Sequence, residues 1–162
     1  GGKWKRHSAK LGGAHAMRTK QSIEINASRE TIWSLVDDIK KWGELLGIDT
    51  LERIQHLESG SPYAYNWMMH LAGRDIYGET RYSDFDPPSR FAKDTRSEVF
   101  RGSWELALEN LDGNKTKVIC NFRTASEPGL TNWVLAIPLY QAYRQRISNM
   151  LKTLKSVSEA QK

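Results

Sequence analysis

Five turn signals cut the stretch from Ile48 to Ser126 into six strand-like runs: "GSP" at 60–62, "AGRD" at 72–75, "DPPS" at 86–89, "FRG" at 100–102 and "LDGN" at 111–114. Breaks recurring every ~10–14 residues leave no room for a crossover helix, so successive strands are expected to be antiparallel neighbours. Asp112-Gly113 is the strongest hairpin signal in the chain. Pro87 and Pro88 cannot donate to a central ladder and belong in a connection or at an edge. The run at 48–58 mixes its phases, with Ile48, Ile54 and His56 on one and Leu51 and Leu57 on the other, which predicts a bulge.

Helical patterns flank this region. Ile23 and Ile25 alternate in a first strand at about 19–26. Ser28 then offers an N-cap with Glu30 in the first turn, ahead of Ile32, Trp33 and Val36. Asp37 and Asp38 supply a second cap before Ile39, Trp42, Leu45 and Leu46, and Gly47 closes that helix. At the far end Leu139, Tyr143, Ile147, Met150, Leu151, Leu154 and Val157 recur at three- and four-residue steps, a long helix whose C-terminal half carries Lys152 and Lys155. Pro138 either starts this helix or interrupts one begun near Thr131.

With 162 residues, 39% hydrophobic and 27% charged, the chain suits one domain with a real core. Its longest apolar run, "WVLAIPLY" at 133–140, is far short of the ~20 residues of a membrane span, so no stable membrane insertion is expected. Residues 1–16 are read as a disordered leader or cloning remnant, and residues 17–162 as the domain. That leader holds four of the 24 basic residues and no acid, so the remaining 20 face 19 acidic residues and the net of +5 falls to +1. The folded part therefore carries no electrostatic footprint for nucleic acid. Without a secretory signal, and with Cys120 as the single cysteine, the expected setting is cytoplasmic and Cys120 a small buried filler.

The inventory carries a geometric consequence. Seven strands at ~4.8 Å spacing make a sheet roughly 30 Å wide. One helix, ~10–12 Å across, covers about a third of that face. The rest must be closed by curvature, by the two short helices or by a guest molecule. "PYAYNWMMHL" at 62–71 aims Tyr65, Trp67 and Met69 to one side, and the same phase continues through Ile76, Thr80 and Tyr82. Trp104, Leu106 and Leu108, then Val118, Cys120 and Phe122, extend it, with Trp42 and Tyr143 expected from the helices near a mouth. Apolar walls with a few polar tips suit a small-molecule pocket as well as a solid core.

Four stretches carry a family resemblance over residues 18–160: "INASRETIWSLVDDIKKW" (25–42), "DFDPPSRF" (84–91), "GSWELALENLDGNKTKV" (102–118) and "PGLTNWVLAIPL…LKTLKSVSEA" (128–160). Together with the element order they resemble the START-related superfamily that includes polyketide cyclases and dehydrases. The resemblance implies an α+β helix-grip fold, a curved seven-stranded antiparallel sheet wrapped around the C-terminal helix with a deep hydrophobic cavity between them. Members bind or transfer lipids, sterols, quinones and polyketides, and some are cyclases or dehydrases.

Enzyme motifs are absent. His56 and His70 lie on separate strands without a third ligand at metal spacing, and no phosphate-cradling loop or nucleophile elbow is present, so neither metal nor cofactor is expected. His70, Glu79, Arg81, Asp94 and Arg96 fall on outward phases. Arg96 is the first choice for a polar anchor should its phase be inward, since a guanidinium grips a carboxylate or phosphate bidentately. The favoured reading is a binding protein for a hydrophobic molecule such as a lipid, quinone, isoprenoid or polyketide, with access at the loop holding Pro128 and Gly129. A cyclase or dehydrase using the same cavity, and a module that docks a protein or touches a membrane transiently, are the alternatives.

Overall fold

The computed structural model describes residues 17–126 and 130–161, with side chains at 126 and 130–136 left aside. The leader and the Pro128–Gly129 loop lie outside the described residues.

Each run bounded by a turn signal is a strand. β1 (Met17–Ile25) is followed by α1 (Arg29–Trp33) and α2 (Ile39–Leu46). Next come β2 (Thr50–His56), β3 (Pro62–Leu71), β4 (Arg74–Asp86), β5 (Arg90–Ser97), β6 (Phe100–Leu111) and β7 (Lys115–Ser126). The chain ends in α3 (Leu130–Ala160). One antiparallel sheet has the order β1-β7-β6-β5-β4-β3-β2, so every pair but β1–β7 is a sequential hairpin. The β6–β7 turn places Gly113 at φ 73°, the left-handed backbone that the Asp-Gly signal anticipates. Pro87 and Pro88 form the β4–β5 connection. In β2 the register breaks between Glu52 and Gln55 and Arg53 takes φ 50°, which accounts for the mixed phases of this edge strand.

Ser28 caps α1 through its Oγ, which accepts the Thr31 N–H at 3.1 Å. Asp38 sits at the N-cap of α2 yet makes no side-chain cap. Its carboxylate lies 3.2 Å from His56 Nε2, and Asp37 pairs with Lys41 instead. Gly47 ends α2 in the left-handed conformation. Arg146 of α3 seals that end, donating to the carbonyls of Leu46, Gly47 and, at 3.0 Å, His70. A guanidinium at a helix C-terminus satisfies its open carbonyls and suits the dipole. One side chain thus fastens α2 to α3 and β3.

α3 runs through Pro138, so the helix begins before the proline. Leu139, Tyr143, Ile147, Met150, Leu151 and Leu154 are buried against the sheet. Val157, expected on that stripe, is 38% exposed, and Ser158 is buried in its place. Four-residue steps from Met150 through Leu154 reach 158, not 157.

Candidate functional site

Strand pairing lines up the inward side chains in rows across the sheet. Tyr82 of β4 stands opposite Lys93 of β5, which stands opposite Trp104 of β6, which stands opposite Phe122 of β7. The next row is Tyr65, Thr80, Thr95 and Gly102. The third is Trp67, Gly78 and Ser97. Large rings at the ends of these rows surround a floor of small residues. The Trp67 indole lies over Gly78 and donates from Nε1 to Thr80 Oγ1 at 2.9 Å and Thr95 Oγ1 at 3.2 Å. The two threonine hydroxyls are 2.8 Å apart, so this polar patch is satisfied internally.

A Cβ on Gly78 would sit 2.2 Å from Trp67 Cζ2. Gly78→Ala is expected to push the indole off its threonines and lower stability by about 1–3 kcal/mol, the usual cost of overpacking. A lower urea midpoint with an altered near-UV tryptophan signal checks this; an unchanged midpoint would show that the indole has room to yield.

The helices close the interior. Trp42 of α2 meets Phe91 and Trp104 edge-on, with centroids 5.3 and 5.5 Å away. Trp104 stacks on Phe122 at 4.0 Å, and Tyr143 of α3 approaches Phe122 at 5.0 Å. The void left between Trp42, Tyr65, Trp67, Met69, Trp104 and Tyr143 measures about 10 Å³, room for about one water. In this part of the interior the rings of Trp42, Trp104, Phe122 and Tyr143 pack against one another, while the access expected at Pro128 and Gly129 lies outside the described residues. Trp42 and Tyr143, expected near a mouth, are buried. Two larger depressions, about 320 and 290 Å³, lie on the outer face against Arg90, Asp94 and Arg123, and against Glu52, Asn66 and Tyr77.

Among the described residues one charged-type side chain enters this interior. Lys93 is 1% exposed, and its Nζ lies 4.1 Å from the Trp42 ring centre and 4.7, 4.8 and 5.3 Å from those of Tyr82, Phe91 and Tyr65. It donates to Tyr65 Oη at 3.3 Å, and no carboxylate among the described residues pairs with it. Burial holds its pKa well below the ordinary lysine value. The nearest ring face favours the ammonium by about 2 kcal/mol, whereas an unpaired buried ion costs several. Desolvation sets the direction.

Two buried hydroxyls of this interior are poorly used. Tyr82 Oη has no hydrogen-bond partner among the described residues, and Tyr143 Oη donates to Met69 Sδ at 3.9 Å, a weak acceptor. Burial raises the pKa of Tyr65, Tyr82 and Tyr143, so all three stay phenols, and pushes the Cys120 thiol up to about 12.

The structure brings Tyr65, Trp67, Met69, Tyr82, Trp104, Leu106, Cys120, Phe122, Trp42 and Tyr143 together in one buried cluster. Arg96 is not among them. Its side chain is 58% exposed on the outer face, 3.4 Å from Glu79, because Thr95 takes the inward position. The amine inside is that of Lys93, a residue absent from the sequence-predicted site. Its signal was there, since Lys93 shares the two-residue phase of Phe91 and Thr95. Among the described residues no group of acidic, His and Cys side chains is placed to hold a metal, and no helix is long and apolar enough to cross a membrane.

A seven-stranded antiparallel sheet gripping a long C-terminal helix, with two short helices after β1, defines a protein of the helix-grip fold. Solved structures share that fold at low identity. A START superfamily protein from Mycobacterium smegmatis is 16% identical, with a TM-score of 0.69 over 90% of this chain and 99% of its own. The Zhui aromatase/cyclase from Streptomyces sp. R1128 is 14% identical, with a TM-score of 0.77 over 90% and 94%. A conserved protein from Geobacillus kaustophilus is 13% identical, with a TM-score of 0.63 over 86% and 96%. No curated protein matches the sequence. The family model for polyketide cyclase / dehydrase and lipid transport matches residues 16–159. The chain belongs to that family, and family and fold fit a protein that binds hydrophobic ligands or resembles a polyketide cyclase.

Proposed function

We propose that this protein binds a hydrophobic small molecule carrying one polar group, between the sheet and its helices. The observation that carries this reading is Lys93, a buried amine with no carboxylate partner among the described residues, opposite Tyr82 on β4, whose hydroxyl has no partner among them either. Leaving buried polar groups without partners costs about 1–3 kcal/mol each, and a core selected for packing alone would replace them with apolar groups. Ligand polar atoms at Lys93 Nζ and Tyr82 Oη would satisfy both. Trp67, Met69, Trp104, Leu106 and Phe122 form the walls, with Cys120 at the floor and Tyr65 bridging to the amine.

The gap of about 10 Å³ beside Trp42 and Tyr65 must widen for such a molecule to enter there. The wall we assign to that movement is α2, eight residues long, whose N-cap side chain makes no capping bond and which brings Trp42 into the interior. Ligand apolar area would then replace Trp42 ring contacts at ~25 cal/mol per Å².

Native mass spectrometry of protein purified without detergent, followed by titration with decanol, tests the reading. Retention of an apolar adduct, or uptake of one decanol with a shift in tryptophan emission, is expected. No adduct and no uptake would make the interior a solid core.

A further inference from the structure

We propose that Lys93 is an amine nucleophile that holds an aldehyde or ketone group of an apolar ligand as a reversible imine. The proposal rests on the reading of the interior as a ligand site and names the chemistry that the site selects.

Three placements carry it. Lys93 Nζ is walled by the rings of Trp42, Tyr82, Phe91 and Tyr65 and meets no carboxylate among the described residues. Tyr65 Oη lies 3.3 Å from the amine, close enough to pass protons to and from it. Tyr82, directly opposite Lys93 in the β4–β5 ladder, carries an unpartnered hydroxyl that a carbonyl oxygen could accept from. An amine desolvated in an apolar pocket is the activated form of lysine for attack on carbonyls, and the lowered pKa of Lys93 favours that free base.

The same surroundings separate a carbonyl from a carboxylate ligand. A carboxylate would oppose an ammonium, and both ions would have to leave water, at several kcal/mol each. A carbonyl compound and a free amine are neutral, and so is the imine they form. In the step, the nitrogen lone pair bonds to the carbonyl carbon and the C=O π pair moves to oxygen. One amine proton reaches that oxygen through Tyr65, giving a carbinolamine. The C–O bond then breaks, the hydroxyl leaves as water with the second amine proton, and C=N remains. Hydrolysis reverses the sequence, and no oxidant or metal is required.

Incubation of the full chain with butanal at neutral pH, borohydride reduction and peptide mapping tests the proposal, with glyoxylate as a charged aldehyde of similar size. Burial leaves more of Lys93 than of surface lysines as the reactive free amine at a given pH, so butanal is expected to modify Lys93 several-fold faster than surface lysines. Glyoxylate is expected to leave Lys93 untouched. Lys93→Met should lose the fast site, with the remaining lysines still modified at their own slow rate. Labelling of Lys93 no faster than surface lysines, with decanol still taken up, would overturn the imine and leave the ligand site standing. Failure of both butanal and decanol to enter would overturn the ligand site itself.

Discussion

Lys93→Met is expected to stabilise the protein by roughly 1–4 kcal/mol near pH 7, the range found when buried ionic groups give way to apolar ones of similar volume. Met keeps the unbranched stem that threads between the rings and removes the amine that burial disfavours as a cation. The pH dependence has a definite sign. In the window between the lowered folded pKa of Lys93 and its unfolded value near 10.4, the unfolded chain binds a proton that the folded chain does not. Stability therefore rises with pH there, by up to about 1.4 kcal/mol per unit. Cys120 acts in the opposite sense: its thiol moves from 9.0 to about 12 on folding, so its contribution is complete below pH ~9 and fades above. Urea unfolding of wild type and the Met variant side by side from about pH 6 to 9 isolates the lysine by difference. The midpoint of the Met variant should be the higher, and the gap between the two should narrow as pH rises through that window. A Met variant less stable than wild type would mean that the four rings hold Lys93 as an ammonium and outweigh its desolvation.

Such a result would locate where fold and site diverge in what the sequence reveals. Alternation alone places Tyr65, Trp67, Met69, Tyr82, Trp104 and Phe122 inside, because a strand with one buried face cannot slip by one residue without exposing every large side chain. The β2 bulge is legible for the same reason, since Leu51 and Ile54 cannot share a phase without it. Lys93 is hidden by the ordinary rule that a lysine on a strand faces water, although Phe91 and Thr95 fix its phase. Tyr82 and Trp104 become its neighbours only through β4–β5 and β5–β6 register, which one strand's pattern does not encode. Comparing a helix width with a sheet width counts areas, whereas the space is filled by volume, and Trp42, Trp104, Phe122 and Tyr143 are among the largest side chains available. Asp38 shows the limit of local signals: it stands at the N-cap, but His56 on β2 takes the carboxylate.

Trp42→Ala decides whether those rings occupy a site or constitute a core. Trp42 is 1% exposed and touches Phe91, Trp104 and Lys93, so its removal is expected to lower stability by about 3–5 kcal/mol. The fate of the vacated space is the informative part. If the strand walls stand by their own register, with Trp104 still stacked on Phe122 and Trp67 still bonded to its threonines, the void of about 10 Å³ grows by nearly the volume of an indole ring. Indole itself should then bind. At tenfold excess over its dissociation constant it would restore about 1.4 kcal/mol, or roughly 3–6 °C in melting temperature for a domain of this size. Wild-type protein should show a smaller shift, because there indole must first displace the Trp42 ring. Thermal melts of both proteins with and without indole make the comparison. A larger rescue of the variant would establish that the sheet holds its hollow open independently of the ring that α2 inserts. Absence of rescue would mean that the walls collapse onto the deletion, as a close-packed core does, and that Trp42 is a structural residue rather than a displaceable wall.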